Sequence, residues 1–194
     1  MERIGQRELY ARGGITKWYW DFRDRAVLEY TKDATSVLDI GCGEGITLQR
    51  VWEQNCKRTV FGIDPEPGNI KACGALPAKR GDAYNVPGSG WDCCLLLDVI
   101  EHLADPYKAL SNIHDALAVD GRLVLVFPND RLFFWARLAC LKFKAAFMDY
   151  GHNRAFNPTD TGFALKLLGF HIEVVRRIPV SFFPLHYLIV ARKI

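Results

Sequence analysis

The sequence predicts an α/β domain, a three-layer sandwich in which helices cover both faces of a mostly parallel seven-stranded sheet with an antiparallel last strand. Three observations predict it. Short apolar runs of strand length alternate with segments of helical periodicity along most of the 194 residues. A glycine cluster, Gly41-Cys42-Gly43-Glu44-Gly45, stands between the first strand of that alternation and the helix after it. Trp91 to Leu97 is nearly all apolar, as a strand covered on both faces must be.

Taken in order, Lys17 to Tyr30 mixes Trp18, Trp20, Phe22, Val27 and Leu28 with Asp and Arg and reads as a helix, part of an N-terminal helical cap over 1–33. Ser36 to Ile40 is the first strand, Gly41 to Gly45 a turn and Ile46 to Glu53 a helix. Thr59 to Asp64 is the second strand, Pro67 to Cys73 a short helix, and Lys79 to Ala83 a weak strand leading into a turn at Pro87 to Gly90. Trp91 to Leu97 is followed by a helix from Pro106 to Leu117, which Gly121 closes. Arg122 to Phe127 is the fifth strand, and Pro128 ends it. Alternation of this kind implies parallel strands joined by right-handed crossovers. Arg131 to Met148 is an additional helical piece, and 129–156 as a whole is expected to form a helical lid inserted after the fifth strand. Pro158 to Leu168 is a helix ending at Gly169, and the strands Phe170 to Ile178 and His186 to Ala191 lie close enough to pair antiparallel. With no internal repeat, low-complexity tract or long linker, 1–194 reads as a single domain.

Composition narrows the function classes. With 49% hydrophobic and 24% charged residues the chain is globular, and a formal net charge of +3 is too small to argue for nucleic acid, so no nucleic-acid partner is expected. The six cysteines, Cys42, Cys56, Cys73, Cys93, Cys94 and Cys140, contain no C-x-x-C pair. Neither a zinc site nor a disulfide framework is expected, and no metal. Met1 opens on a charged and polar stretch without an apolar run, which points to the cytoplasm. Arg137, Lys142 and Lys144 interrupt the longest apolar candidate, Leu132 to Met148, so no membrane span is expected, although peripheral contact with a membrane stays open. The oligomeric state cannot be read from the sequence.

The glycine turn indicates the ligand. Val37-Leu38-Asp39-Ile40-Gly41-Cys42-Gly43-Glu44-Gly45 places glycines where a strand turns tightly into a helix and lets a ligand approach the backbone. Asp64 ends the next strand, where a carboxylate can receive both ribose hydroxyls of an adenosine-like ligand. A dinucleotide fingerprint would need glycine where Ile46 stands, and Glu44 adds negative charge beside any pyrophosphate. Asp39 and Glu44 instead suit a ligand with cationic groups, such as an ammonium and a sulfonium. No G-K-[ST] follows, which excludes a triphosphate P-loop.

These motifs occur in series, and from Val37 onward the chain resembles the class I S-adenosylmethionine-dependent methyltransferases, specifically their small-molecule branch (methyltransferase type 11/12, ubiquinone-biosynthesis-like). The first motif of that family looks like Val37 to Gly45, its acidic second-strand end like Gly62-Ile63-Asp64, and its adenine-site motif like Gly81-Asp82-Ala83. Its fourth-strand motif matches Leu97 to Leu103 with Asp105-Pro106 after it, and its fifth-strand entrance matches Leu117 to Arg122. The resemblance implies a Rossmann-like fold with S-adenosylmethionine as cofactor. It implies Asp39, Gly41 and Gly43 around the methionine moiety, Asp64 on the ribose, Asp82 and the Ala83 backbone at the adenine, Leu97 and Asp98 on the cofactor floor, and Cys42 and Pro65 as further cofactor-binding residues.

Methyl transfer from a sulfonium is an in-line displacement, accelerated mainly by aligning and desolvating the acceptor. His102, just past the fourth strand, has the intrinsic pKa of a general base and is the candidate catalytic residue; fixing the strand-to-helix loop is its competing role. His114, His171 and His186 read as structural or surface residues. Trp18, Tyr19 and Trp20 in succession require at least one ring to point away from the core, and Arg23 or Arg25 could pair with the cofactor carboxylate. His152 and Arg154, in a segment resembling part of the same branch, are candidates to bind a small-molecule acceptor, with the apolar insertion before them favouring a hydrophobic one. The alternative from another class is a noncatalytic S-adenosylmethionine-binding module for regulation or interaction. A nicotinamide-dependent oxidoreductase stands third.

Overall fold

Because β-branched and apolar residues alternate with glycine-bounded helical segments, the chain folds strand by strand into one sheet. The computed structural model describes residues 5–129, 156–180 and 183–194. Among them lie the strands β1 (Ser36–Ile40), β2 (Thr59–Asp64), β3 (Ala78–Arg80), β4 (Trp91–Leu97), β5 (Leu117–Pro128), β6 (Phe170–Val180) and β7 (Phe183–Lys193). Their order across the sheet is β3-β2-β1-β4-β5-β7-β6. The first five run parallel, and β7 is antiparallel to both β5 and β6.

The helices among the described residues are α1 (Gln6–Ala11), α2 (Gly14–Leu28), α3 (Ile46–Gln54), α4 (Pro67–Ala72), α5 (Pro106–Ala116) and α6 (Pro158–Leu167). The last two start alike. Asp105 caps α5 by accepting from Lys108 N at 3.1 Å, and Asn157 caps α6 by accepting from Asp160 N at 2.9 Å, each with proline in the first turn where its missing N–H costs nothing.

The sheet buries both faces. On one, Cys94 and Leu96 of β4 pack with Leu110 and Ile113 of α5 and Leu165 of α6. On the other, Cys93, Leu95 and Leu97 pack with Val27 of α2 and Leu48 and Val51 of α3. This two-sided cover is why Trp91 to Leu97 carries no polar alternation: each of these side chains contributes about 1.5–3 kcal/mol by leaving water, whichever face it takes.

The structure departs from the sequence reading in four places. A first helix, α1, precedes the expected one, which itself begins at Gly14 rather than Lys17. The fifth strand begins at Leu117, immediately after α5, and a bulge separates Leu117, paired with Trp91, from Arg122, paired with Cys93. Gly121 therefore does not close a helix. A Cβ there would lie 2.8 Å from Trp91 O and 2.9 Å from Ala118 O, so the bulge admits only glycine. β3 stops at Arg80, which leaves Asp82 and Ala83 in the turn beyond it. β6 and β7 each span 11 residues, longer than expected, because they extend as a hairpin. The expected lid, with His152 and Arg154, lies outside the described residues. No helix among the described residues is long and apolar enough to cross a membrane.

Candidate functional site

Ile40 ends β1, and the chain must turn at once into α3. Gly41, Gly43 and Gly45 take φ values of 77°, 54° and 76°, the left-handed region that L side chains rarely enter. A Cβ at Gly41 would also collide with Val99, and one at Gly43 with Gln6. The loop is tied to β2: Gly41 N and Cys42 N both donate to Ile63 O, at 2.8 and 3.0 Å. Asp64, buried at the end of β2, accepts from Gly43 N through Oδ2 at 2.9 Å. Its Oδ1 accepts from Glu66 N and Asn69 Nδ2, both at 2.9 Å. Beyond β3, Asp82 Oδ1 accepts from Tyr84 N at 2.9 Å and Asn85 N at 3.0 Å, an Asx turn that fixes this part of the rim.

Asp98 follows β4 with φ 56°, a conformation Asp tolerates better than most residues. Arg23 Nη1 donates to its Oδ2 at 2.6 Å, and His186 Nε2 lies 3.2 Å from Oδ1. The Tyr19 hydroxyl hydrogen-bonds the other ring nitrogen of His186. Burial opposes ionisation of Asp98, but His186 and Arg23 outweigh it and hold the pKa at about 2. Burial, reinforced by Asp98, pushes the Tyr19 hydroxyl up, so the phenol keeps its proton. Arg23 also donates to Asp24 Oδ1 through Nε and Nη2, at 3.1 and 2.9 Å, and Arg50 Nη1 donates to Asp24 Oδ2 at 2.6 Å.

These elements enclose a cavity of about 620 Å³ at the carboxyl ends of β1, β2 and β4. It lies where the strand order reverses, the place at which open α/β sheets bind ligands, and its size is ordinary for a small-molecule site. Of the residues singled out in the sequence, Asp39, Gly41, Cys42, Gly43, Asp64, Pro65, Asp82, Leu97, Asp98 and His102 line it. Ala83 is buried in the core, and its neighbour Tyr84 faces the cavity instead. Asp39 is 2% exposed, and its carboxylate has no hydrogen-bond or ion-pair partner among the described residues. Burial pushes its pKa up to about 7; Arg23 acts against the rise, and Asp24 and Asp64 add to it.

His102 sits in a 3-10 turn, Ile100–His102, with its backbone N donating to Val99 O at 2.9 Å and its side chain about half exposed on the cavity wall. His114 packs edge-on against Phe170, and His171 is exposed.

Two expectations about charge are revised, and the one about the aromatic residues holds. Glu44 does not face the cavity; its carboxylate accepts from Gln6 N at 2.9 Å and Arg7 N at 2.7 Å, clasping the first turn of α1 onto the glycine loop. Gln6 thereby reaches the cavity. Arg23 is already engaged by Asp98 and Asp24, and the exposed Arg25 donates to Asp21 O at 3.3 Å, so neither guanidinium is held out for a ligand carboxylate. Trp18 is the outward ring, while Trp20 lines the cavity. Sequence reasoning missed Tyr19 and His186 as a pair, since only the antiparallel entry of β7 brings position 186 to β4.

A fold of this topology with a cavity over its glycine loop defines a Rossmann-like α/β domain. The chain belongs to the methyltransferase-domain family, whose model matches residues 10–175. The chain is thus a methyltransferase domain, and S-adenosylmethionine is the cofactor that its sequence motifs imply. Similar curated proteins include the tRNA U34 carboxymethyltransferase of Shewanella frigidimarina, 31% identical over 119 residues, 56% of this chain and 35% of that protein. Another is the ubiquinone biosynthesis O-methyltransferase of Methylobacterium nodulans, 34% identical over 83 residues, 38% of this chain and 32% of that protein. The chain thus spans about a third of the length of these relatives. Among solved structures, a SAM dependent methyltransferase from Archaeoglobus fulgidus shares the fold with a TM-score of 0.70 at 22% identity, over 94% of this chain and 96% of that one. A TehB-like methyltransferase from Corynebacterium glutamicum does so with a TM-score of 0.69 at 22% identity, over 97% and 94%.

The residues present fit such a cofactor. The glycine loop leaves open a surface that side chains would fill, Asp64 stands at the end of β2 where a ribose is read, and Asp39 offers a buried carboxylate to a cationic group.

Proposed function

We propose that the chain transfers a methyl group from S-adenosylmethionine to a small-molecule acceptor by in-line displacement. The observation that supports it best is the cavity itself, which places the glycine loop, Asp64 and Asp82 on one side and His102 with Leu103 on its wall. When bound, the cofactor supplies an electrophilic methyl group on a sulfonium. Asp64 and the Asp82 turn hold the nucleoside, and Gly41, Cys42, Gly43 and Asp39 receive the methionine part beside Pro65 and Leu97. Asp98, kept ionised and braced by Arg23, shapes the floor. His102 accepts the proton of an acceptor that arrives protonated, or orients it.

A small acceptor is favoured over a polyanion by the cavity's own charge. Among the described residues, Asp24, Asp39, Asp64, Glu66, Asp82 and Asp98 line it against one guanidinium, that of Arg23, and this excess of negative charge repels phosphate. The free buried thiols of Cys42, Cys73, Cys93 and Cys94 are in keeping with a reducing cytoplasm.

The test is to incubate the protein with methyl-labelled cofactor and a cell extract split into small-molecule, lipid, RNA and protein fractions. Label in the small-molecule or lipid fraction is expected. Label confined to RNA would overturn the acceptor class, and tight cofactor binding without transfer into any fraction would favour a noncatalytic binding module.

A further inference from the structure

Two residues one turn apart on α2 converge on the two oxygens of one carboxylate. Arg23 Nη1 donates to Asp98 Oδ2 at 2.6 Å, while Tyr19 reaches the other oxygen through His186 of β7. The Tyr19 hydroxyl hydrogen-bonds His186 Nδ1, the two rings stack with centroids 5.1 Å apart, and His186 Nε2 lies 3.2 Å from Oδ1. Oδ1 is fully buried and makes no aligned hydrogen bond, so His186 acts on it through charge rather than through a strong directed bond. The Asp98 side chain nevertheless keeps 29% of its surface exposed and lines the cavity, which leaves Oδ2 as the carboxylate oxygen facing a ligand. Neither Tyr19 nor His186 lines that cavity.

The ends of this chain fix the hydrogens along it. Among the described residues the Tyr19 hydroxyl makes one hydrogen bond, to His186, and burial keeps its proton in place, so the phenol donates and Nδ1 accepts. Nε2 then carries the ring hydrogen and turns the positive end of the imidazole to the Asp98 carboxylate. The other tautomer turns a lone pair to it. Asp98 itself stands at φ 56°, a backbone conformation that persists only where the surroundings hold it.

We propose that Tyr19 and His186 are positioning residues for methyl transfer, acting through Asp98: they hold its carboxylate in one orientation, so that Oδ2 accepts a hydrogen bond from the O–H or N–H of the acceptor. The inference rests on the function proposed above and deepens it, since it confines the acceptor to one that brings such a hydrogen. The step is the one given there. The methyl carbon exchanges its bond to sulfur for a bond to the acceptor oxygen or nitrogen, the electrons of the broken bond stay with sulfur, and the proton that the acceptor sheds goes to His102. Orientation matters because a nucleophile held off line loses much of the rate that alignment gives.

The test has two arms. In protein carrying ¹⁵N-labelled histidine, NMR reads the tautomer of His186, whose signals are assigned by their loss in His186→Gln. Wild type is expected to hold the hydrogen on Nε2, and Tyr19→Phe, which removes only the hydroxyl, to mix in the Nδ1–H form. The second arm follows label from methyl-labelled S-adenosylmethionine into the small-molecule fraction of a cell extract at saturating cofactor. Tyr19→Phe is expected to slow transfer by roughly 3- to 10-fold, the scale of one lost hydrogen bond, with cofactor affinity in calorimetry within about twofold. The glutamine amide of His186→Gln can donate to Asp98 without help from Tyr19, so adding Tyr19→Phe to it is expected to cost under about 1.5-fold; a merely structural pair gives effects that multiply. The hydrogen on Nδ1 in wild type overturns the inference, as does wild-type transfer by Tyr19→Phe or multiplication in the double variant. Should Tyr19→Phe fold poorly, the wild-type tautomer decides alone. Wild-type protein that binds the cofactor but labels no fraction removes the function proposed above and this inference with it, whereas intact transfer insensitive to Tyr19 removes this inference alone.

Discussion

Arg23 and Asp98, 75 positions apart, meet at 2.6 Å on the cavity wall, and the same guanidinium reaches back to Asp24 on its own helix. The pre-strand helix is thus bonded to the end of β4 by a charge. Removing it leaves Asp98 to His186 and Asp24 to Arg50 alone. Arg23→Met is expected to destabilise the fold by about 3 kcal/mol, with Arg50 still supporting Asp24, and to lower the melting temperature by roughly 6–12 °C. A thermal scan showing a change of under about 2 °C would mean that the pair is ornamental.

Acid should loosen the same contact. The folded pKa of Asp98, about 2, lies below the unfolded value near 3.9, so its stabilisation is complete above pH 4 and is lost as pH falls through 2. Asp39 acts with the opposite sign: its raised folded pKa, about 7, means that stability declines as pH rises from 4 to 7. Urea melts across this range should show Asp98→Asn flattening the acid limb and Asp39→Asn flattening the neutral one, with Asp39→Asn more stable than wild type at pH 8.

Asp64 braces the glycine loop through Gly43 N, and under the proposed function it also holds the ribose. Asp64→Ala should weaken cofactor binding by roughly 1–3 kcal/mol in calorimetry. Unchanged affinity would remove it from the site.

The clasp formed by Glu44 links α1 to the loop without touching the cavity. In Glu44→Ala the first turn of α1 loses two acceptors, and cofactor affinity is expected to fall by about 3- to 10-fold. Global stability should change by under about 1 kcal/mol. Faster limited proteolysis near Arg7 and Arg12 would report the release, and an unaltered cleavage rate would count against the clasp.

For His102, replacement by Gln should leave cofactor affinity within about twofold while lowering methyl transfer by about 10²-fold once an acceptor is in hand. Full turnover in that variant would reduce His102 to a loop residue.

Much of this was legible in advance because the signals are local. The glycines after Ile40, the acidic ends of β2 and the segment after β3, and the all-apolar β4 each follow from short-range rules of turn geometry and burial. What escaped was set by tertiary contact. Gly121 looked like a helix stop because glycine serves both helix ends and bulges, and only the pairing of Leu117 with Trp91 distinguishes them. Glu44 looked like a ligand group because its partners, Gln6 N and Arg7 N, belong to a short helix with no apolar periodicity to announce it. His186 acquired its neighbours from strand order, which residue spacing does not encode.

That strand order also bears on how the chain reaches its native state. β6 joins the sheet only through β7, and β7 must be inserted against β5, where Asn129 bonds to Pro184 across 55 positions. The β6–β7 hairpin is local and can zip in about 1–10 μs, whereas its docking must await closure of a long loop, a step that belongs to the slow, nonlocal regime of folding. Until then β5 presents Leu123 to Phe127, all fully buried in the finished sheet, as an unpaired edge. The vulnerable moment in biosynthesis therefore falls at this seam, and substitutions along β7 should reduce soluble yield by prolonging exposure of a sticky edge, even where the completed enzyme tolerates them.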